Sequence, residues 1–111
     1  MPTITALSSH TFQSAATGTG NGTALNTSTV TDLIIQISGI TSATITFEGS
    51  LDGGTTYSPI KAVPIATGSA ATTTTADGIF RLTVPAYQFQ RVRCRVSTYA
   101  SGTINVVGLY G

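Results

Sequence analysis

Charged side chains are scarce: lysine, arginine, aspartate and glutamate together make up 8% of the 111 residues, against about a quarter in a typical soluble domain. The net charge of +1 supplies no broadly basic surface, so nucleic acid is not expected as a partner. No apolar run approaches the ~18 residues of a membrane helix, and we expect no membrane partner either. With 41% hydrophobic residues the chain can bury a core, which excludes intrinsic disorder.

Cysteine and histidine occur once each, as Cys94 and His10. A single cysteine excludes an internal disulfide, and neither residue can form a paired metal site. Cys94 alternates with Val92 and Val96, which predicts a buried small hydrophobe; the alternative is a thiol activated by the flanking arginines. The acidic residues fall on different predicted elements and give no facing pair for acid–base catalysis: Asp32, Glu48, Asp52 and Asp77. We therefore expect no enzymatic activity, no cofactor and no metal.

Threonine and glycine supply the polarity that charge does not, with 22 and 12 residues respectively. Threonine is β-branched and suits the solvent face of a pleated sheet. Alternating apolar and polar residues predict strands over residues 31–38, 43–50, 57–63, 79–84, 89–97 and 103–110. Turn signals every 8 to 12 residues are typical of an antiparallel β-sandwich, immunoglobulin-like or jelly-roll. A small β-barrel is the alternative, because periodicity does not separate the two.

The N-terminal part of the chain is poorly patterned. Residues 1–30 are predicted to be an arm, or a weak first strand followed by a polar loop, and residues 31–111 to be the β-sandwich domain. A polar arm could dock on a neighbour, which makes Thr3, Ile4 and Thr5 candidate partner contacts. The first residues carry neither a basic nor an apolar leader, so we expect synthesis in the host cytoplasm.

The most specific local motif runs from Ser50 to Tyr57 and fits the pattern S-x-D-x-G-x-T-aromatic. It resembles the Asp-box hairpin of sialidase-type propellers, in which the motif closes a turn. Asp52 can accept hydrogen bonds from backbone amides of the loop, while Gly53 and Gly54 permit positive φ. We expect a structural turn rather than a calcium site, because Asp52 is its one charged residue.

Arg91, Arg93 and Arg95 alternate along one predicted strand and therefore share one face. They could contact phosphate, an acidic lipid or a negatively charged partner surface. The other interpretation is a solvated face with cross-strand pairing, for which Glu48, Asp32 or Asp77 could serve. Three arginines without a wider basic surround favour a protein partner over nucleic acid.

The order of strands and turns from residue 31 to residue 111 resembles small virion proteins of tailed phages. The segments that carry the resemblance are residues 33–39, residues 43–54, the Ala-Thr-rich connection, residues 78–82, the arginine strand and residues 101–106. The resemblance implies a β-sandwich that decorates a capsid or lies in the neck, tail or baseplate. We expect a capsid decoration (cement) protein in the virion, forming a homo-oligomer such as a trimer, with the major capsid protein or another virion protein as partner.

Two alternatives to the cement role stay open. One is a tail, neck or baseplate component of the same particle. The other is a carbohydrate-binding module, which would need exposed aromatic rings for stacking on sugars. The chain has no tryptophan, and Tyr87 and Tyr99 are the loop aromatics predicted to be free for that role.

Overall fold

The computed structural model describes residues 7–111, and these form an all-β fold. The strands are β1 (Ser8–Ala16), β2 (Leu25–Asn26), β3 (Leu33–Ser50), β4 (Ser58–Pro59), β5 (Ala62–Pro64), β6 (Thr73–Thr74), β7 (Gly78–Leu82) and β8 (Arg91–Tyr110), with one 3₁₀ turn at Ala86–Gln88. All pairings are antiparallel, and the strands make one eight-stranded sheet in the order β1-β8-β3-β7-β5, with β2 on β8 and β4 and β6 on β3. The all-β antiparallel prediction is confirmed. Within residues 7–111, no helix is long and apolar enough to cross a membrane.

Two long strands, β3 and β8, form the centre of the sheet. They pair along almost their whole lengths, from Leu33 opposite Tyr110 to Ser50 opposite Arg91. The sequence predicted two strands within each of them, and the turn predicted at Ser101 and Gly102 is instead a bend inside β8. Glycine marks a turn and a bend alike, which is why the pattern did not distinguish them.

The bend lies where the pairing of β3 with β8 shifts register, between Ser38 and Ile45. Gly39 and Gly102 both have positive φ, 85° and 125°, and the two backbones approach so closely that a Cβ on Gly39 would overlap the carbonyl of Thr103. The Asp77 carboxylate accepts hydrogen bonds from the amides of Gly39 (3.2 Å) and Ile40 (2.9 Å). Glycine and a side-chain acceptor together allow the strands to turn a corner without losing their pairing.

The bend folds the sheet over on itself. Phe80 is paired with Ile35, and twelve extended residues from Ile35 to Phe47 would span roughly 40 Å at ~3.3 Å per residue. The rings of Phe47 and Phe80 nevertheless lie 5.3 Å apart. The first half-sheet (β1, β5, β7 and residues 33–38 and 103–110) therefore faces the second half-sheet (β2, β4, β6 and residues 43–50 and 91–98).

The core lies between the two half-sheets. Alternate residues of β3 and β8 point inward, and Ile35, Ile45, Val92 and Ile104 are completely buried. Cys94 is also completely buried, and burial raises the pKa of its thiol well above the ordinary value. The prediction of a buried small hydrophobe at this position is confirmed.

The N-terminal segment shares this core. Strand β1 pairs with β8 from Ser8 opposite Tyr110 onward, and Phe12 is buried. The Gln13 side chain donates hydrogen bonds to the carbonyl oxygens of Cys94 (2.9 Å) and Gly20 (3.1 Å), which links the two half-sheets. The segment was predicted to be either an arm or a weak first strand, and residues 8–16 form a strand. Thr3, Ile4 and Thr5 lie outside the described residues.

Candidate functional site

The loop after β3 is closed by the side chains of Ser50 and Asp52. The Ser50 hydroxyl donates to Asp52 Oδ1 (2.7 Å) and accepts from the Gly54 amide (2.9 Å). Asp52 Oδ1 also accepts from the amides of Thr55 (3.1 Å) and Thr56 (2.8 Å). Gly54 and its neighbour Gly53 have φ values of 96° and 74°, which glycine adopts without strain. The turn has the closed geometry that its sequence motif predicts.

The hydrogen bonds of this turn favour the ionised form of Asp52. The backbone amide of Thr56 and then the Ser50 hydroxyl lower the pKa of Asp52 from 3.8 to about 2. The carboxylate therefore stays charged under ordinary conditions, and its oxygen is committed to the loop.

The three arginines form what we call the arginine ladder, on the outer face of the second half-sheet. In the pairing of β8 with β3, Arg93 is opposite Glu48 and Arg95 is opposite Thr46. Glu48 is only 5% exposed, and its Oε1 accepts from Nε of Arg93 (2.7 Å) and Nε of Arg95 (3.2 Å). Of the three candidate acids, Glu48 is the partner, while Asp77 lies at the bend. Two of the arginines thus make the cross-strand pairing that the sequence analysis considered.

Tyr57 connects the turn to the ladder. The guanidinium carbon of Arg93 lies 3.7 Å from the centre of the Tyr57 ring, a cation–π contact. Arg93 is therefore held between the Tyr57 ring and the Glu48 carboxylate, and the turn and the ladder form one structural unit. The aromatic position of the turn motif, Tyr57, is the signal in the sequence for this connection.

Arg91 differs from the other two arginines. Within residues 7–111 it makes no ion pair. It borders a shallow cavity of about 230 Å³ that is lined by polar or small residues, namely Asn26, Ser28, Gly53 and Gln90.

A second surface, on the first half-sheet, is not among the sites predicted from the sequence. Ile34, Ile79, Val107 and Leu109 are between 37% and 49% exposed on the outer face of the first half-sheet. They lie on three adjacent strands, since Ile34 is opposite Leu109 and the uncharged Gln36 is opposite both Val107 and Ile79. We call these four residues the apolar face. Its signal was the run of adjacent apolar residues at 33–35 and 106–107, where strict alternation fails.

The one histidine and the two candidate tyrosines lie in different environments. His10 Nε2 lies 2.9 Å from the carbonyl oxygen of Thr23. Tyr99 packs against the core and donates its hydroxyl hydrogen to Gly102 O (2.6 Å), so the prediction that its ring is free was wrong. Tyr87 is 53% exposed. In residues 7–111 there is no group of three or more His, Cys, Asp or Glu side chains that could hold a metal ion.

Comparison with known proteins links the chain to phage genomes. The family model described as XepA matches residues 6–110. The SPBc2 prophage-derived protein YomS has a similar structure, with a TM-score of 0.87 and 22% identity over 99% of this chain and 96% of that chain. The PBSX exported protein XepA has a TM-score of 0.85 and 19% identity over 94% of this chain. The chain spans 37% of the length of that XepA chain. No curated protein sequence matches.

Proposed function

The chain belongs to the XepA family, and on that premise we propose that it is a non-enzymatic structural protein of a phage particle. Its structural relatives are described as prophage-derived (YomS) and as an exported protein of PBSX (XepA). The specific role that we propose is capsid decoration, in which the protein binds the assembled head and stabilises it.

The observation that carries this proposal is the apolar face. Four large aliphatic side chains lie together on the outside of a folded sheet. The neighbouring Ser9 and Gln36 are uncharged, and one charged residue, Arg81, is opposite Ile34 on the same face. Contiguous exposed apolar surface in a soluble protein marks an interaction site. A net charge of +1 also puts little electrostatic repulsion between copies of the chain or between the chain and a shell. We propose a homo-oligomer bound to the major capsid protein.

The mechanism would be the addition of buried contacts between capsid subunits. A protein that binds the assembled shell and not its separated subunits shifts the equilibrium toward the shell and slows its dissociation. This needs a rigid surface with enough apolar area to pack against a partner, rather than a catalytic group. The apolar face, supported by the buried residues of β3 and β8 beneath it, meets that requirement.

Particles made without the protein test the cement role. We expect such particles to lose their genome at a lower temperature than complete ones, and purified protein added back to restore the difference. Equal heat resistance of the two kinds of particle would overturn the cement role. Immunogold labelling would then distinguish a shell position from the alternative of a tail, neck or baseplate position.

A second candidate is a protein exported from the infected cell, and the description of XepA as an exported protein favours it. Quantitative mass spectrometry of a lysate separated on a density gradient discriminates the two. A virion protein co-migrates with the major capsid protein at constant stoichiometry. An exported protein stays in the particle-free fractions and is found outside the cells before lysis.

A further inference from the structure

The arginine ladder concentrates much of the positive charge of the chain. It contains three of the five lysine and arginine residues. Successive ladder positions are two residues apart on β8, so their Cα atoms are separated by roughly 7 Å. The inward positions between them, Val92 and Cys94, are buried, which directs the arginines outward.

Internal pairing uses only part of this hydrogen-bonding capacity. Glu48 takes one N–H from Arg93 and one from Arg95, in both cases from Nε. Within residues 7–111, the terminal Nη groups of these arginines donate no hydrogen bond, and no buried side-chain nitrogen lacks a partner. The Nη groups are therefore not fully buried. A guanidinium offers five N–H donors, so the two Nη groups of each of these arginines remain able to donate hydrogen bonds.

The guanidinium groups of Arg93 and Arg95 are held in place in the free protein. Arg93 is fixed by Glu48 and by the Tyr57 ring, and its side chain is 19% exposed. Arg95 is fixed by the same carboxylate and is 36% exposed. Ordering flexible side chains opposes binding, and here the fold has already ordered two of them. Arg91, half-buried beside its polar cavity, extends the row in the direction of the turn.

We propose that the arginine ladder is a docking site for an extended acidic segment of another protein. In such a segment, carboxylates at every second residue repeat at the same roughly 7 Å spacing as the ladder. A guanidinium can bind a carboxylate through paired N–H donors, and the ladder already binds one carboxylate, that of Glu48, through a single Nε donor from each of two arginines. The net charge of +1 disfavours the alternative polyanion, nucleic acid, which requires a broad basic surface. The site is separate from the apolar face and goes beyond the proposed particle role.

The test is fluorescence anisotropy with a short labelled peptide in which glutamate alternates with threonine. The ladder variant is Arg91→Gln/Arg95→Gln, which leaves Arg93 to pair with buried Glu48. The charge-matched control is Lys61→Gln/Arg81→Gln, which removes the two remaining cations of the chain. Thermal unfolding of all three proteins shows that each is folded under the binding conditions.

We expect the wild type and the control to bind the peptide with similar affinity, and the ladder variant to bind at least ~10-fold more weakly, a loss of about one charge-assisted hydrogen bond. Replacing the glutamates of the peptide by glutamine should abolish binding. Equal weakening in both variants, absence of binding by the wild type at low salt, or tighter binding of a single-stranded oligonucleotide than of the peptide would overturn the proposal. Absence of the protein from particles would refute the particle role and leave this result unchanged.

Discussion

The two half-sheets are built from the same two long strands but present opposite chemistry to solvent. The outer face of the first carries exposed Ile34, Val107 and Leu109, with Arg81 as the one charged neighbour of Ile34. The outer face of the second carries the arginine ladder around Glu48, in a network of ion pairs and hydrogen bonds. Inner positions are apolar in both halves, because both line one core. The inward residues build one shared core, while the outward residues differ between the two half-sheets.

The first prediction concerns the contact between the two half-sheets, on which their comparison depends. Phe47 is 1% exposed, and its ring lies against that of Phe80 across the core. We expect Phe47→Ala to lower the free energy of unfolding by about 3–5 kcal/mol, from lost burial and the cavity left behind. Urea denaturation followed by circular dichroism measures it. The control, Tyr87→Ala at a 53% exposed position, should change stability by less than ~0.5 kcal/mol. Equal effects would contradict a core shared by the two halves.

Substitution in the polar network of the second half-sheet should lower the free energy of unfolding more than substitution in the apolar face of the first. We expect Glu48→Ala to cost about 1–3 kcal/mol, because it leaves Arg93 and Arg95 without their buried acceptor. Ile34→Thr, an outward substitution in the same strand, should cost less than ~0.5 kcal/mol, since the side chain is already 37% exposed. Thermal and urea unfolding of both variants would show which substitution costs more free energy of unfolding. A larger cost for Ile34→Thr would show that the ladder does not stabilise the fold.

The smallest expected effect is the pH dependence that Asp52 confers on the second half-sheet. Its pKa is about 2 in the folded protein, below the value of about 3.9 in an unfolded chain. The stabilisation is therefore complete above pH ~4 and is lost as the pH falls toward 2. In a series of melting temperatures over this range, wild type should lose more stability than Asp52→Asn. Parallel curves would show that the turn does not hold the carboxylate in its charged form.

Sequence patterns predicted the parts of the structure that depend on neighbouring residues. The inward alternation of Leu33, Ile35 and Ile37 and the turn around Asp52 are both encoded within a few positions. The joining of two predicted strands into β3 depends on Gly39 meeting the chain near Gly102, a contact between residues 63 positions apart in the chain. A pattern confined to one segment carries no information about such pairings.

The candidate surfaces, too, could be predicted from the sequence only in part. The shared face of the three arginines follows from period-2 alternation. Their pairing with Glu48 was one of several alternatives, and only the register of β3 with β8 selects it. The apolar face had a signal in the apolar runs at 33–35 and 106–107, but only the folded sheet shows that Ile34 and Val107 lie on the side that the core does not cover.

The most direct test of the assembly role of the apolar face is co-sedimentation with capsids that lack the protein. The face variant is Ile79→Thr/Leu109→Thr, and the matched control is Ile65→Thr/Leu51→Thr, which replaces the same residue types at exposed positions outside the face. We predict that wild type and control pellet with capsids, while the face variant stays in the supernatant. Pelleting of the face variant to the same extent as wild type would contradict the claim that this face attaches the protein to the particle.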